Sequence, residues 1–251
     1  MKRVQTLCAA VPVLLLSFAS YLDAQIAPES TRFTITGAPV LSLPAGEFGS
    51  NIGNGFGAVG AFLYHLDRPG IFSFRFDVSG VEYGREKKEV PISPTIGERV
   101  LVDVTTTNSI IGLSFGPELA VPRGAFRPYV NTGFSELFFR TSSGVKGTSS
   151  GETFASTTNF SDATAAWFLG GGARIPLAGN NPRKAISLDV GVRYYRGGTA
   201  SYLREGSIQD NPDGSISFTP LSSRTPHVVY LIGVRFRIPH DPSAPCSRFL
   251  C

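Results

Sequence analysis

The chain has 251 residues, of which 42% are hydrophobic and only 17% are charged, and its formal net charge is +4 at pH 7. No run reaches the roughly 18 apolar residues that a membrane-spanning helix needs. The small charge, without a basic stripe of interleaved aromatics, argues against nucleic acid as a partner.

Residues 1–24 have the layout of a secretory signal peptide, with a basic start at Lys2 and Arg3, an apolar stretch over about 7–18, and a small residue, Ala24, before a cut. We expect cleavage near Ala24, with Ala19 as the second choice. The alternative is a short buried helix. Cleavage removes two basic residues and one acidic residue, so the formal charge falls from +4 to +3.

The mature chain alternates apolar and polar residues with a period of two, which predicts strands with two different faces. Residues 186–194 alternate apolar side chains with Ser, Asp, Gly and Arg, and 72–79 and 228–238 repeat this pattern. Eight strands are predicted on this basis, at 31–43, 55–66, 70–83, 104–120, 127–141, 162–176, 185–197 and 226–239.

The connections between these strands alternate in length. Short turns rich in Pro, Gly and Arg are predicted at 67–70, 121–126 and 178–183. Long loops are predicted at 44–54, 84–103, 142–161 and 198–225. This order indicates up-and-down hairpins whose long loops all lie at one end. The turn residues 210–214 predict a hairpin that projects from the last long loop.

The character of the two strand faces predicts which face is inside. The polar face carries charges beside glycine and serine, whereas the other face is large and aromatic. A bilayer supplies an apolar exterior, and there only a closed barrel leaves no unpaired strand edge. We therefore predict an all-β fold, a closed antiparallel up-and-down eight-stranded transmembrane β-barrel. The side chains expected to face lipid are Phe72, Phe74, Phe76, Trp167, Leu169, Ile186, Leu188, Val190, Tyr230, Ile232 and Phe236.

Further aromatic residues lie near the predicted strand ends, where rings with one polar atom form interfacial girdles in such barrels. The residues expected in these girdles are Tyr64, Tyr83, Phe126, Tyr129, Tyr194, Tyr195 and Tyr202.

Eight strands enclose an interior just wide enough for side chains to fill. The charged side chains expected inside are Arg75, Asp77, Glu118, Arg174, Asp189, Arg193, Arg235 and Arg237. Buried charges must be paired, so these residues predict a structural salt-bridge network in the lumen. Pairing of the last two strands is expected to bring Asp189 near Arg235. The alternative is an ion path that opens when the network rearranges.

The segments 126–133, 167–174 and 228–236 carry the glycine and tyrosine pattern of a known family. Together with the signal peptide and the loop order, they resemble the small outer-membrane barrels of Gram-negative bacteria, the group around the transmembrane domain of outer-membrane protein A and its opacity-type relatives. The resemblance implies a barrel over 25–240 in the bacterial outer membrane and a short periplasmic tail over 241–251. This tail departs from family members that end on an aromatic residue, and Phe236 or Phe249 could replace that residue.

The partners that this resemblance implies are outer-membrane lipid, lipopolysaccharide and the barrel assembly machinery, for a monomer without a cofactor. The mixed charge run 85–89 could meet lipopolysaccharide phosphates. The expected role is structural, adhesive or weakly pore-like. Cys246 and Cys251 could form a disulfide in an oxidising compartment, and as metal ligands they lack companions.

Two other functions stay open. An outer-membrane lipid-modifying enzyme could use His227, which lies near the predicted rim within reach of Ser222 or Ser223. No catalytic residue is assigned on that evidence, and we expect no enzymatic activity. A secreted soluble barrel could instead hold a small apolar ligand.

Overall fold

A computed structural model describes residues 32–91, 101–147, 153–178, 186–211 and 216–238. The predicted signal peptide (1–24), the tail (241–251) and the cysteine pair Cys246 and Cys251 lie outside the described residues.

The described elements are, in chain order, β1 (Phe33–Pro44), α1 (Gly46–Asn51), β2 (Gly55–His65), β3 (Phe72–Pro91), β4 (Leu101–Ala120), β5 (Arg127–Gly147), β6 (Thr153–Ala178), β7 (Ile186–Gly197), β8 (Thr199–Tyr202), β9 (Ile208–Asp210), β10 (Ile216–Phe218), β11 (Leu221–Arg224) and β12 (His227–Ile238). Eight of the strands close into an antiparallel barrel in the order β1-β12-β7-β6-β5-β4-β3-β2. The prediction of an eight-stranded up-and-down barrel is confirmed. The last strand closes the ring by pairing with the first, from Phe33 opposite Ile238 to Pro44 opposite His227.

The strands β3 to β6 are longer than predicted. They continue beyond the barrel as a four-stranded extended sheet, formed by residues 84–91, 101–108, 141–147 and 153–161. The predicted loops at 84–103 and 142–161 are therefore wrong for the described residues. Their polarity indicated loops, but a sheet that extends beyond the bilayer also carries polar side chains, and Thr and Val favour the strand conformation.

The last long connection also contains strands. In it, β8 pairs with β11 and β9 pairs with β10, and the β9–β10 pair is the predicted projecting hairpin. The first long connection contains α1. We call residues 198–211 and 216–226 the arch.

A short turn joins β2 to β3, and Asp67 stabilises it. The Asp67 carboxylate accepts hydrogen bonds from the backbone N–H groups of Ile71 at 3.0 Å and Phe72 at 2.7 Å. Gly70 adopts φ 77° there, a conformation that costs glycine little.

The two faces of the barrel have the predicted sidedness. Phe74 and Ile232 are 46% and 61% exposed on the outside, whereas Arg75 and Asp189 are 1% and 0% exposed inside. This arrangement contradicts the soluble-barrel alternative, in which the apolar face would fill the centre. Among the described residues, no helix is long and apolar enough to cross a membrane.

The predicted aromatic girdles are only partly correct. Tyr64, Phe126 and Tyr194 lie on the outer face with half-buried or exposed side chains. Four other members are buried inside the barrel: Tyr83, Tyr129, Tyr195 and Tyr202. Three of these tyrosines lie an even number of residues from an inward-facing charged or polar residue on the same strand. The alternation along the strand therefore determines which face each tyrosine occupies, and its position near a strand end does not.

The absence of a side chain at Gly191 leaves room for the Tyr129 hydroxyl. A Cβ atom on Gly191 would lie 2.5 Å from Tyr129 Oη, whereas one on Gly60 would have no atom within 4 Å. We expect Gly191→Ala to lower the free energy of unfolding by about 1–3 kcal/mol, because the added methyl overpacks the interior. Gly60→Ala is the matched control and should be nearly neutral. Urea unfolding in detergent, followed by circular dichroism, measures both. Equal midpoints for the two variants would contradict this account.

Candidate functional site

Six buried charged side chains inside the barrel form one continuous chain of alternating sign. In order they are Arg193, Asp77, Arg75, Glu118, Arg174 and Asp189, and we call them the salt-bridge chain. Its N···O distances include 3.1 Å for Arg193–Asp77, 2.8 Å for Asp77–Arg75 and 3.1 Å for Arg75–Glu118. Four strands contribute to it, so the contacts lock the barrel wall across the lumen.

Aromatic side chains complete both ends of the salt-bridge chain. The Tyr129 hydroxyl donates a hydrogen bond to Asp189 Oδ1 at 2.8 Å, and the Arg174 guanidinium lies 4.1 Å above the Tyr129 ring. At the other end, Arg193 donates to the Tyr195 hydroxyl at 3.0 Å and lies over the Phe168 ring. These cation–π contacts are favourable in a desolvated interior.

Arg235 is buried inside the barrel but lies outside the salt-bridge chain. Its Nη2 lies 3.3 Å from Thr34 Oγ1 and 3.3 Å from His65 Nε2. As expected, Asp189 lies within electrostatic range of Arg235, since it lies opposite Gly233, two residues from Arg235 on β12, but the two side chains form no ion pair. Asp189 also lies directly opposite Arg174 on β6, with which it forms its ion pair.

The last predicted lumen residue, Arg237, is half-buried at the short-turn end, where it lies opposite Thr34 in the register of β1 and β12. Arg127, outside the predicted set, also has the inward parity at this end and lies opposite Arg174. Arg127 begins β5 beside a Pro- and Gly-rich turn, so alternation along the strand does not show which face its side chain occupies. His65, also outside the predicted set, is buried on the lumen face of β2, where its neighbours Leu63 and Ala61 are apolar.

Apolar layers fill the lumen beyond the salt-bridge chain. The middle layer consists of Ala38, Val40, Val59, Val81 and Leu231. The upper cluster, at the long-loop end, consists of Phe48, Ile52, Tyr83, Ile110, Leu137, Phe139, Ala166, Phe168, Tyr195, Ala200 and Tyr202.

The helix α1 inserts Phe48 into the upper cluster, where its ring packs edge-on against Phe139 and Tyr202. A cavity of only about 20 Å³ lies between these layers, lined in part by Arg193 and His227. It has room for about one water molecule. The described interior is therefore packed at three levels along its axis.

His227 does not meet the predicted serine. Its ring is buried and stacks on Tyr195 at 4.8 Å, and its Nδ1–H donates to the Thr225 carbonyl at 3.0 Å. Ser223 Oγ is hydrogen-bonded to the Tyr202 hydroxyl at 2.7 Å instead. His227 and Ser223 therefore each contact other residues, and the two side chains do not form a nucleophile–base pair.

The arch is tied to β3 by hydrogen bonds near the long-loop end. These run from Gly206 N to Glu86 Oε2 at 3.1 Å, from Arg85 N to Glu205 Oε1 at 3.0 Å, and from Tyr83 Oη to the Leu203 carbonyl at 3.0 Å. The arch is therefore held over the sheet.

A cavity of about 350 Å³, here called the upper cavity, lies between the extended sheet and the β9–β10 hairpin. Its apolar lining consists of Val90, Val104, Val145, Ala155, Ile208 and Ile216. Its polar lining consists of Glu86, Lys88, Thr106, Ser143, Ser156, Thr157 and Asn159. A volume in this range and a mixed lining are typical of small-molecule sites.

Glu86 makes the arch contact sensitive to acid. The hydrogen bond from the Gly206 backbone N–H lowers the pKa of the Glu86 carboxyl below its usual value. A lowered pKa contributes stability above the unfolded-state pKa, and that contribution is lost as the pH falls through the folded-state pKa. We expect amide exchange at Gly206, relative to its intrinsic rate, to accelerate as the pH falls through this lowered pKa. Glu86→Gln should remove this pH dependence, and an unchanged acid response in that variant would contradict the assignment.

No family model matches the chain, and no curated protein matches its sequence. Several solved structures are similar. Neisserial surface protein A is 13% identical over 82% of this chain and 97% of its own, with a TM-score of 0.43. A major outer membrane protein from Thermus thermophilus is 14% identical over 82% and 99%, with a TM-score of 0.41. Ail, the attachment invasion locus protein of Yersinia pestis, is 11% identical over 82% and 97%, with a TM-score of 0.40.

Strand order and sidedness together define the architecture. The ring of eight antiparallel strands closes without a free edge, its outer face is apolar and its interior holds the salt-bridge chain. A closed barrel of this sidedness satisfies its backbone hydrogen bonds within a bilayer. The chain therefore has the fold of an eight-stranded antiparallel transmembrane β-barrel.

Proposed function

We propose that the chain is a binding protein of the bacterial outer membrane, in which a packed barrel anchors a recognition surface outside the cell. The observation that carries this proposal is the upper cavity, which the extended sheet and the arch form beyond the membrane-spanning part. Function in such folds resides in sites displayed by the scaffold.

The contents of the lumen favour binding over a pore-like role. The salt-bridge chain, the middle layer and the upper cluster occupy successive levels. An ion path would require all three levels to rearrange, and breaking the buried pairs alone is costly. We expect no stable conductance steps in planar bilayers, either for the native protein or for Arg174→Ala and Arg235→Ala. Reproducible conductance steps in the native protein would support the pore-like role instead.

The lining of the upper cavity supports a small amphipathic ligand. Valine and isoleucine side chains from the sheet and the hairpin supply the apolar wall, and the Lys88–Glu86 ion pair, at 3.1 Å, lies at its polar side. Because this pair is neutral overall, the cavity favours a ligand that has an apolar body and a hydrogen-bonding end. An adhesive role would use the same surface with a larger partner.

The test uses the complete barrel in lipid nanodiscs with labelled Ile and Val methyl groups. The probe is 1-anilinonaphthalene-8-sulfonate, and we expect saturable shifts at Ile208, Ile216 and Val104. Val59, in the middle layer of the lumen, should not shift.

Two alanines on β6 give matched variants for this test. Ala155 lines the upper cavity, whereas Ala163 is on the outer face of the barrel. Ala155→Trp should fill the cavity and abolish the shifts, and Ala163→Trp should retain them. Equal responses from the two variants would overturn the proposal.

We also propose that the protein is a monomer without catalytic activity, surrounded by outer-membrane lipid. The contacts of His227 with Thr225 and Tyr195 support a structural role for that residue. A lipid A mass shift on expression, lost in His227→Ala, would show lipid-modifying activity instead.

Lipopolysaccharide contact through residues 85–89 gains little support from the ion pairs there. Arg85 pairs with Glu82, Lys87 with Asp103 and Lys88 with Glu86. Their charges are therefore already compensated.

Heat-modifiable gel mobility of the outer-membrane fraction tests the proposed location, and absence of the protein from that fraction would contradict it.

A further inference from the structure

The buried charges in the lumen do not balance. Four arginines are buried there, Arg75, Arg174, Arg193 and Arg235, against three carboxylates, Asp77, Glu118 and Asp189. Three of the arginines and all three carboxylates belong to the salt-bridge chain, which is neutral as a unit. Arg235 is the remaining cation among the buried side chains that the structure describes.

The contacts of Arg235 leave its charge without a counterion of its own among the described residues. Its Nη2 meets a hydroxyl, on Thr34, and an imidazole nitrogen, on His65. Its Nε is buried and has no hydrogen-bond partner in the described part of the chain. Glu118 and Asp189 lie within electrostatic range, but each is bound by other donors of the salt-bridge chain. Burying a cation without its own counterion is energetically costly.

More positive charge lies at the same end of the barrel. Arg237 lies on β12 two residues beyond Arg235, is half-buried and lies within electrostatic range of it. Arg127 on β5 is also half-buried and faces Arg174 across the β5–β6 pair. Like charges this close repel unless an anion lies between or beside them. The short-turn end of the lumen is therefore a site that attracts anions.

We propose that this end of the lumen binds a small free oxyanion of the phosphate or sulfate type, with Arg235 as the buried ligand and Arg237 at the entrance. A guanidinium group presents its N–H donors in a planar fork that matches the oxygens of such an anion. The Nε–H of Arg235 supplies one donor, and the half-buried Arg237 supplies others on the side open to solvent. This site is separate from the upper cavity at the opposite end, and its test is independent of the proposed function.

The experiment uses the complete barrel in a non-ionic detergent, with inorganic phosphate as the probe at constant ionic strength. We expect saturable broadening of the phosphate ³¹P resonance in the presence of the native protein. The urea midpoint of unfolding should rise with phosphate over the same concentration range, because a ligand that binds only the folded state stabilises it.

Three variants separate the site from general charge effects. Arg235→Gln should abolish the saturable broadening and the phosphate-dependent rise in the midpoint while the barrel still folds. Arg237→Gln should weaken phosphate binding about tenfold, the effect of losing one charge-assisted hydrogen bond. Arg196→Gln, which removes the same charge from the exposed outer face, should behave as the native protein does.

Two outcomes would overturn the proposal. One is the absence of saturable phosphate binding to the native barrel. The other is an equal loss of binding in Arg235→Gln and Arg196→Gln, which would show a response to net charge alone. If Arg235→Gln fails to fold, the comparison of phosphate binding by Arg237→Gln and Arg196→Gln tests the proposal, because Arg237 is only half-buried. Equal phosphate binding by these two variants would then overturn it.

Discussion

Replacing Glu118 by Gln should lower the free energy of unfolding by about 3–5 kcal/mol, the cost of breaking a buried ion pair from one side. Glu118 lies at the centre of the salt-bridge chain, where its two carboxylate oxygens separately contact Arg75 and Arg174. Gln has nearly the same shape but carries no charge. The substitution leaves two buried guanidinium groups without a shared counterion, and both side chains are shielded from water.

The control for this prediction is Glu82→Gln. Glu82 also pairs with an arginine, at 2.7 Å from Arg85, but the arginine side chain is 63% exposed. Exposed pairs contribute about 0–1 kcal/mol, so this variant should unfold close to the native midpoint. Urea titration of the folded barrel in detergent, followed by circular dichroism, measures the difference. If the two variants lose the same stability, the salt-bridge chain does not hold the barrel together.

Replacing Phe48 by Ala should be nearly as costly, with a loss of about 3–5 kcal/mol. Phe48 is fully buried in the upper cluster, and its ring contacts Phe139 and Tyr202 at centroid distances of 5.9 Å and 5.1 Å. It is the buried residue of α1. Its removal both opens a cavity in the upper cluster and releases the helix from the barrel mouth. Limited proteolysis should then cleave within residues 45–54 faster than in the native protein.

Phe56 offers the matched control for Phe48. It lies eight residues further on, at the same end of the barrel, but its side chain is 68% exposed on the outer face. Phe56→Ala should leave both the unfolding midpoint and the proteolysis rate near native values. Faster cleavage in both variants would mean that α1 is not held in place by Phe48.

Strand phase was readable from the sequence wherever charge alternated with large apolar residues. On β3, Arg75 and Asp77 alternate with Phe72, Phe74 and Phe76, and the structure places the two sets on opposite faces. The same holds on β7, where alternation assigns the adjacent Tyr194 and Tyr195 to the apolar and polar faces, and the structure places the first outside and the second in the lumen.

Contacts between distant segments could not be read from alternation. Alternation placed Asp189 near Arg235 but could not show that its ion pair is with Arg174, because facing residues depend on the register, and a shift of two positions keeps every side chain on its predicted face while changing its partner. The upper cavity was likewise hidden. It requires the arch to fold back onto the extended sheet, through contacts such as Arg85 N to Glu205 that join residues 120 positions apart.

Alternation with a period of two is a local property, and it determined the number of barrel strands and their sidedness, whereas the lengths of the connections determined their order. Local patterns of this kind follow from the backbone geometry of a strand, in which successive side chains point to opposite faces. The tertiary structure alone decided the sequence of ion pairs, the surplus charge of Arg235, the packing of Phe48 in the upper cluster and the upper cavity. Each of these depends on which distant side chains share a volume, and that is fixed only when the ring closes and its registers are set.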